Sequence, residues 1–500
     1  MVLTTGVSLA AGLAALVLYY VVSSILAWRR LRDFKGPWLA SFSYLWMART
    51  STSGHMWSIY RDVSAKYGPV ARIGPNELVT DDPDIIRRLS STRSQYRRSS
   101  WYDPNRLDPY EHSMFSLRDN AAHDKLKSQT APGYSGKENP FLEAEVDYVI
   151  DEMVQKIRSK YVAGPGKLVP LDLAKMCQYF TLDSIGKVAF GQEFGFLGQE
   201  RDVNHYLQTI EDIAPVMQMC GEIPSLASIV ASPLVLRLAG PKVTDTKGLG
   251  RLMKVARDIV AKRFGPDAKE QRDMLGAFVR NGLTQRECET EALFQMIAGS
   301  DTTATAIRAT LLYVMTTPRV YEALWREIDE AVKDSKISSP IKSVEGEALP
   351  YLQAVIFEGL RIHPPFVGLP MKEVPPQGDT LLGQFVPGGT RIAPSNWSLT
   401  RNKRIFGEDS ELFRPERWVE ASDETREEMR RTVELIFGYG RWACAGKSLA
   451  FLELNKVFVE LLRNFDFQLV YPTRPWTSIN HNLFLQKDMW VSVTERQRTS

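Results

Sequence analysis

Phe437-Gly438-Tyr439-Gly440-Arg441-Trp442-Ala443-Cys444-Ala445-Gly446, running on into Lys447-Ser448-Leu449-Ala450-Phe451-Leu452-Glu453, is the stretch whose reading decides the fold. It has the form FxxGxRxCxG, five fixed positions around one cysteine. Gly440 permits a tight turn at positive φ, and Gly446 lets the backbone come close to a flat ligand where a helix begins. Cys444 then lies near the N-terminal amides of that helix, which favour thiolate over thiol and hydrogen-bond the sulfur. The chain's other cysteines, Cys177, Cys220 and Cys288, lack such a frame and read as small buried hydrophobes. Four scattered cysteines without a CxxC pair exclude both a disulfide framework and a zinc site of that kind.

Around this loop the chain has 500 residues, 44% hydrophobic and 24% charged, which allows a large core and excludes a fibrous or wholly disordered protein. Its 62 basic and 59 acidic residues leave a net charge of +3, so nothing in the balance asks for a nucleic-acid partner. No charged side chain occurs from Met1 to Trp28. As a helix, Val7 to Trp28 spans about 33 Å against a hydrocarbon core of about 30 Å. Arg29, Arg30 and Arg32 follow, so the positive-inside bias predicts a single-pass anchor over residues 1–28 with a cytosolic body. Residues 29–40, basic and closing on Gly36-Pro37, read as a hinge, and residues 41–500 as one domain. Asn396-Trp397-Ser398 has the form of a glycosylation acceptor that this topology keeps unmodified.

The pattern over Pro69 to Thr80 predicts a β-hairpin around Gly74-Pro75. Apolar residues from Val146 to Ile157 and from Leu171 to Phe190 recur at helical spacing. A long helix is expected from Gln285 to Thr317, containing Ala298-Gly299-Ser300-Asp301-Thr302-Thr303, and another from Glu345 to Ile362, stopped by His363-Pro364-Pro365. Short strand-like pieces lie between Val374 and Ile392, and Glu420 to Arg431 reads as a solvated helix. The sum is one mainly α domain with minor β. Glu358 and Arg361, three apart, share a helix face. His123 and Lys127 share another.

The cysteine loop resembles that of the cytochrome P-450 superfamily, and the motifs just quoted fall in that family's order from Gly36 to the C-terminus. GPWLASFSYLW and GPNELVT resemble fungal secondary-metabolism members similar to the pisatin demethylase group. The resemblance implies the P-450 fold, a large helical domain plus a small β-rich region behind a transmembrane helix, and haem b with Cys444 as its axial iron ligand. Phe437 would shield the sulfur and Arg441 would pair with a propionate. His123, Lys127 and Lys372 stand where the family binds propionates, the two lysines replacing the more usual arginines and losing their planar, two-pronged contact. Glu358 and Arg361 match the family's ExxR pair, which an arginine of Phe413-Arg414-Pro415-Glu416-Arg417-Trp418 completes as a structural clamp; Arg417 is assigned before Arg414.

For Ala298 and Gly299 the resemblance implies room for dioxygen, and for Asp301 and Thr302 proton delivery. Structural alternatives are that Thr302 back-bonds to its own helix and that Asp301 caps or faces solvent. The implied reaction inserts one atom of dioxygen into a lipophilic small molecule, with electrons from NADPH–cytochrome P-450 reductase, cytochrome b5 being a second donor, at the endoplasmic reticulum membrane. Trp101, Tyr102, Phe115, Ile213 to Leu238, Phe294, Phe366 to Leu369 and Leu483-Phe484 fall in the family's substrate-lining regions. Two other classes are a haem-thiolate isomerase or dehydratase needing no reductase, and a non-catalytic haem-binding protein. The former would disturb the AGSDTT stretch or the cysteine loop, and the latter has no need of the acid–alcohol pair.

Overall fold

The computed structural model describes residues 2–162, 164 and 168–496, and of residues 2–10, 13 and 16 the backbone alone. Its centre is a 31-residue helix, Gln285–Met315, buried over most of its length. Thr284 and Glu287 start it with a reciprocal capping box. It ends two residues before the expected Thr317, where Thr317-Pro318 opens the next helix. Against this central helix pack the flanking helix Leu173–Phe190, the clamp helix Pro350–Ile362 and the C-terminal helix Lys447–Asn464. Helix Leu142–Lys160 buries the predicted stripe from Val146 to Ile157 against the flanking helix. One core cluster takes in all these elements, as a single large helical domain requires.

The helix expected over Glu345 to Ile362 is broken. Ser343–Glu347 forms one turn, and Pro350 begins a new helix at its first position, where its missing N–H costs nothing. The charged run forms a helix over Asp423–Val433. The hairpin lies where it was predicted, Val70–Gly74 pairing antiparallel with Glu77–Thr80. It belongs to a five-stranded sheet that continues through Arg391–Pro394 and Lys372–Glu373 to Arg97–Arg98. Only the Glu77–Thr80 and Arg391–Pro394 pair runs parallel.

Helix Val2–Arg30 covers the stretch read as an anchor. Part of that stretch lies outside the described side chains, and among the described residues no helix is long and apolar enough to cross a membrane. The segment read as a hinge is packed. Leu31 and Phe34 are buried in a cluster with Leu78 and Ile392. Buried Arg72 donates to the carbonyls of Ala27 (2.9 Å), Trp28 (3.2 Å) and Ser41 (3.0 Å), tying residues on both sides of Gly36 to the sheet. A Cβ on Gly36 would overlap the Arg72 carbonyl oxygen at 2.0 Å, so glycine serves close approach here. Asn396 is buried and donates to the Phe366 carbonyl at 3.0 Å, which withdraws it from glycosylation on either side of a membrane.

Candidate active site

From Glu291 to Leu312 the central helix is buried except at Phe294, Ala298, Gly299 and Thr302. These positions form one face, which opens on an interior cleft. Cys444 also keeps accessible surface, although the protein encloses its thiol. Its loop is closed by the Cys444 N–H donating to the Phe437 carbonyl at 2.7 Å. Gly440 has φ +57°, and a Cβ there would meet the Ser90 carbonyl oxygen at 2.5 Å. Gly438, which sequence reasoning passed over, is under the same constraint: φ +74° and a Cβ 2.5 Å from the Trp442 carbonyl oxygen. A Cβ on Gly446 would meet no protein atom within 4 Å, so protein packing does not demand glycine there.

Gly446 caps the C-terminal helix. Surrounding protein pushes the Cys444 thiol pKa up, while the Gly446 and Lys447 amides and the Lys127 charge pull it down. Phe437 packs on Phe451, ring centroids 5.6 Å apart, beside the loop.

Two short strands bring buried cations to this place. In the antiparallel register Arg98 faces Lys372 and Arg97 faces Glu373. Strand alternation separates the two pairs: Arg97 and Glu373 form an outer ion pair at 2.6 Å, whereas Arg98 and Lys372 are both buried, like charge opposite like. Their partners are neutral. Arg98 donates to the Met114 (2.6 Å) and Leu117 (3.0 Å) carbonyls and leaves its Nε unpartnered. Among the described residues Lys372 reaches only the Tyr102 hydroxyl, at 3.4 Å. Both stand over the Trp442 ring, 4.3 and 4.2 Å from its centroid. Burial, reinforced by the Arg98 charge, holds the Lys372 pKa well below its usual value, and burial lowers Arg98 to about 10.

Lys127 is half-buried and donates to the Arg441 (2.7 Å) and Ala443 (3.3 Å) carbonyls, a direct tie from helix Asn120–Tyr134 to the cysteine loop. His123 packs on Trp442, and burial followed by the Arg98 charge lowers its pKa to about 3, so the ring is neutral. Arg441 is turned elsewhere, paired with Asp124 at 3.0 Å. The donor set therefore fits haem: a sulfur on a helix N-terminus, a glycine facing open space, and buried cations short of anions where two propionates would lie. Arg98 is the cation that sequence reasoning missed.

Glu358, Arg361 and Arg417 come together below the central helix. Arg361 makes a two-pronged contact with Glu358, 2.8 Å on each oxygen, and Arg417 Nε donates to it at 3.1 Å. Trp418 Nε1 (2.9 Å) and the Arg414 backbone N–H (2.7 Å) complete the shell. The Arg414 side chain pairs with Asp409 and Glu420 instead. Burial opposes the Glu358 charge, but Arg361 and then Arg417 outweigh it, so its pKa stays below the usual carboxylate value.

On the distal side one expectation needs correcting. The place of the missing Gly299 side chain is filled by Ile185 of the flanking helix, whose Cδ1 would lie 2.9 Å from a Cβ, so this glycine serves helix–helix packing. Asp301 does not sit beside Thr302; one residue turns the helix by about 100°. Its carboxyl is buried and accepts a hydrogen bond from Tyr206 at 2.7 Å, and the Thr302 hydroxyl donates to the Ala298 carbonyl at 2.9 Å. Of the expected substrate-lining residues, Phe294 stacks on Phe115 at 5.3 Å, which in turn meets Tyr102 and Trp101. Phe484 is core, packed on His363 and Trp397. Ile229, Leu234 and Leu238 point outward.

The family model described as Cytochrome P450 matches residues 34–492. The chain is 48% identical over 492 residues to the cytochrome P450 monooxygenase ABA1 of Pyricularia oryzae, covering 97% of this chain and 96% of that one. It is 46% identical over 472 residues to aba1 of Botryotinia fuckeliana (94% and 93% covered), and 42% identical over 468 residues to abl1 of Leptosphaeria maculans (92% and 82% covered), both named as cytochrome P450 monooxygenases. With a haem-thiolate loop intact and this extent of likeness, the chain is a haem-dependent monooxygenase and belongs to the cytochrome P450 family.

Proposed function

We propose that this enzyme oxidises a lipophilic small molecule of fungal secondary metabolism, with Cys444 as thiolate ligand and Arg98, Lys372 and Lys127 as the cations that hold the propionates. The observation that carries the assignment is the buried, like-charged pair Arg98 and Lys372 beside the Cys444 loop. When bound, haem supplies dioxygen activation and oxygen transfer, fed by two electrons from a reductase. The chain's part is to seat and shield. The aromatic wall of Trp101, Tyr102, Phe115 and Phe294 excludes water and favours an apolar substrate. Thr302, its own proton committed to Ala298, offers lone pairs to a water in the cleft, and Asp301 lies behind it as the deeper acid.

The expected spectroscopic result is a red-shifted Soret band in the reduced, carbon-monoxide-bound enzyme, lost in Cys444→His. An unchanged spectrum in that variant would move the ligand elsewhere. Lys372→Met and Arg98→Met should keep the band yet release haem to an acceptor protein roughly 10- to 100-fold faster, the loss of one charged hydrogen bond each. Parental haem-release rates in both would sink the propionate assignment.

The uncharged segment ending at Arg29 and Arg30 supports a single-pass anchor in the endoplasmic reticulum membrane, the body being cytosolic. Protease added to sealed microsomes should then digest the body, and full protection would reverse the orientation. Asn396, being buried, cannot report on this.

A further inference from the structure

We propose that Tyr206 is the positioning residue of Asp301: its hydroxyl, reaching across from helix Tyr206–Glu222, sets where the Asp301 carboxyl points and thereby how protons pass to the Thr302 face of the cleft. The inference rests on the reading of Asp301 as the deeper acid.

Both groups are buried, and the hydrogen bond between them, at 2.7 Å, joins the crossing helix to the central one. The Tyr206 ring is fixed in an edge contact with Phe196, centroids 6.1 Å apart, so the hydroxyl has little freedom to follow a moving carboxyl. It also lies 2.9 Å from Ser300 Oγ, whose own proton has an acceptor in the Met296 carbonyl at 2.7 Å. The Tyr206 hydroxyl has one proton and three acceptors in reach, Ser300 Oγ, the Met296 carbonyl at 3.4 Å and the Asp301 carboxyl; the carboxyl is the nearest and, when ionised, the strongest, so it takes the proton.

The remaining neighbours press the same way. Arg308, two turns along the central helix, is buried and among the described residues donates only to neutral groups: Gln486 Oε1 (2.7 Å), Thr305 Oγ1 (2.8 Å), Gln178 Oε1 (3.2 Å) and the Gln486 (3.5 Å) and Phe484 (3.3 Å) carbonyls. Its charge is answered first by Asp301. Burial raises the Asp301 pKa, and it is drawn back by the Tyr206 hydrogen bond, the Arg308 charge, and then Gln178 and Ser300. Asp202 is the further acid facing Tyr206 itself. The Asp301 carboxyl is thus engaged with Tyr206 while the Thr302 hydroxyl is engaged with Ala298, and it must swing off Tyr206 to serve the cleft. A group held too tightly would not deliver, and one left free would point at random and ionise less readily.

The test uses the full-length haem-loaded enzyme as parent, Tyr206→Phe, Asp301→Asn and the double variant. An infrared titration, with the Asp301 band identified by its loss in Asp301→Asn, should show that carboxyl titrating about one to two pH units higher in Tyr206→Phe. Product per NADPH should fall several-fold with peroxide rising, substrate binding and the carbon-monoxide spectrum staying as in the parent. In the Asp301→Asn background, Tyr206→Phe should add nothing. Additive losses there, or an unmoved Asp301 band, overturn the inference while leaving Asp301 its role. Parental coupling in Asp301→Asn instead defeats the Asp301 reading, and the infrared shift alone then decides whether Tyr206 positions it. Should Tyr206→Phe fail to load haem, Tyr206→Met, which also lacks the hydroxyl, is read in the same way.

Discussion

Glu358→Ala is expected to yield a chain that neither holds haem nor survives heating to the parent's unfolding temperature. The residue is fully buried and accepts from three side chains and one backbone N–H: Arg361 through both oxygens, Arg417, Trp418 and the amide of Arg414. Removing it strands the buried Arg361 guanidinium, Arg417 keeping the Asp409 carboxylate at 2.9 Å, and losing one partner of a buried pair costs about 3–5 kcal/mol, a large share of a typical folding stability of about 5–15 kcal/mol. Both arginines keep carbonyl contacts, Arg361 to Thr400, Ser410 and Leu412 and Arg417 to Phe406, Asp409 and Leu412, and Arg417 keeps its ion pair with Asp409, but among the described residues no charge of opposite sign replaces Glu358 for Arg361. Because these arginines depress the Glu358 pKa, the clamp's contribution is complete above the unfolded carboxylate value and fades only as pH falls through the lower folded one. Arg414→Ala should cost far less, about 1 kcal/mol or under, since its side-chain pairs are partly exposed and the backbone amide that serves Glu358 is retained. Haem content per protein and thermal unfolding of the two variants check the ranking, and a stable, haem-loaded Glu358→Ala would remove the clamp role.

The parts of the site that local chemistry dictates were legible in the sequence. Positive φ at Gly440 and the helix start at Gly446 follow from neighbouring residues, and so does the shared face of Glu358 and Arg361. The break at Pro350 had a local signal too, since Leu349-Pro350 disfavours a continuing helix, and the long apolar pattern on either side masked it. What stayed hidden depends on partners distant in the chain. Arg98 is one of two adjacent arginines in a two-residue strand, and only its pairing with Lys372, 274 positions on, turns it inward while Arg97 goes out. Gly299 could face a ligand or a neighbouring helix on sequence grounds; Ile185 settles it. The direction of Asp301 likewise waits on Tyr206, on another helix. Side-chain direction toward a remote element carries no local pattern, so motifs reveal which residue types a site contains before they reveal which way each one points.

Thr302→Val is expected to leave haem, thiolate spectrum, substrate binding and thermal stability close to the parent's while lowering the rate of product formation by up to about 10²-fold. Valine keeps the branched shape and removes only the hydroxyl. That hydroxyl donates to the Ala298 carbonyl, a back-bond that stabilises a helix little, so a purely structural role predicts a variant as active as the parent. The chemistry asks for more. Oxygen insertion consumes dioxygen, two electrons and two protons, sends one oxygen atom into the substrate and releases the other as water. Thr302 is the one hydroxyl among the four accessible positions of the central helix between Glu291 and Leu312, the others being Phe294, Ala298 and Gly299. With its proton given to Ala298, its remaining capacity is to accept, which holds a water by one hydrogen and leaves the other free to point into the cleft. Without that water, protons arrive out of place and the two electrons leave with dioxygen as hydrogen peroxide. NADPH oxidation should therefore continue in Thr302→Val with peroxide replacing product, and Thr302→Ser, which restores the acceptor, should recover product to within several-fold of the parent. Product and peroxide measured per NADPH on any substrate that turns over give the answer, and equal coupling in the valine variant would leave Thr302 as a back-bonding residue with no part in proton delivery.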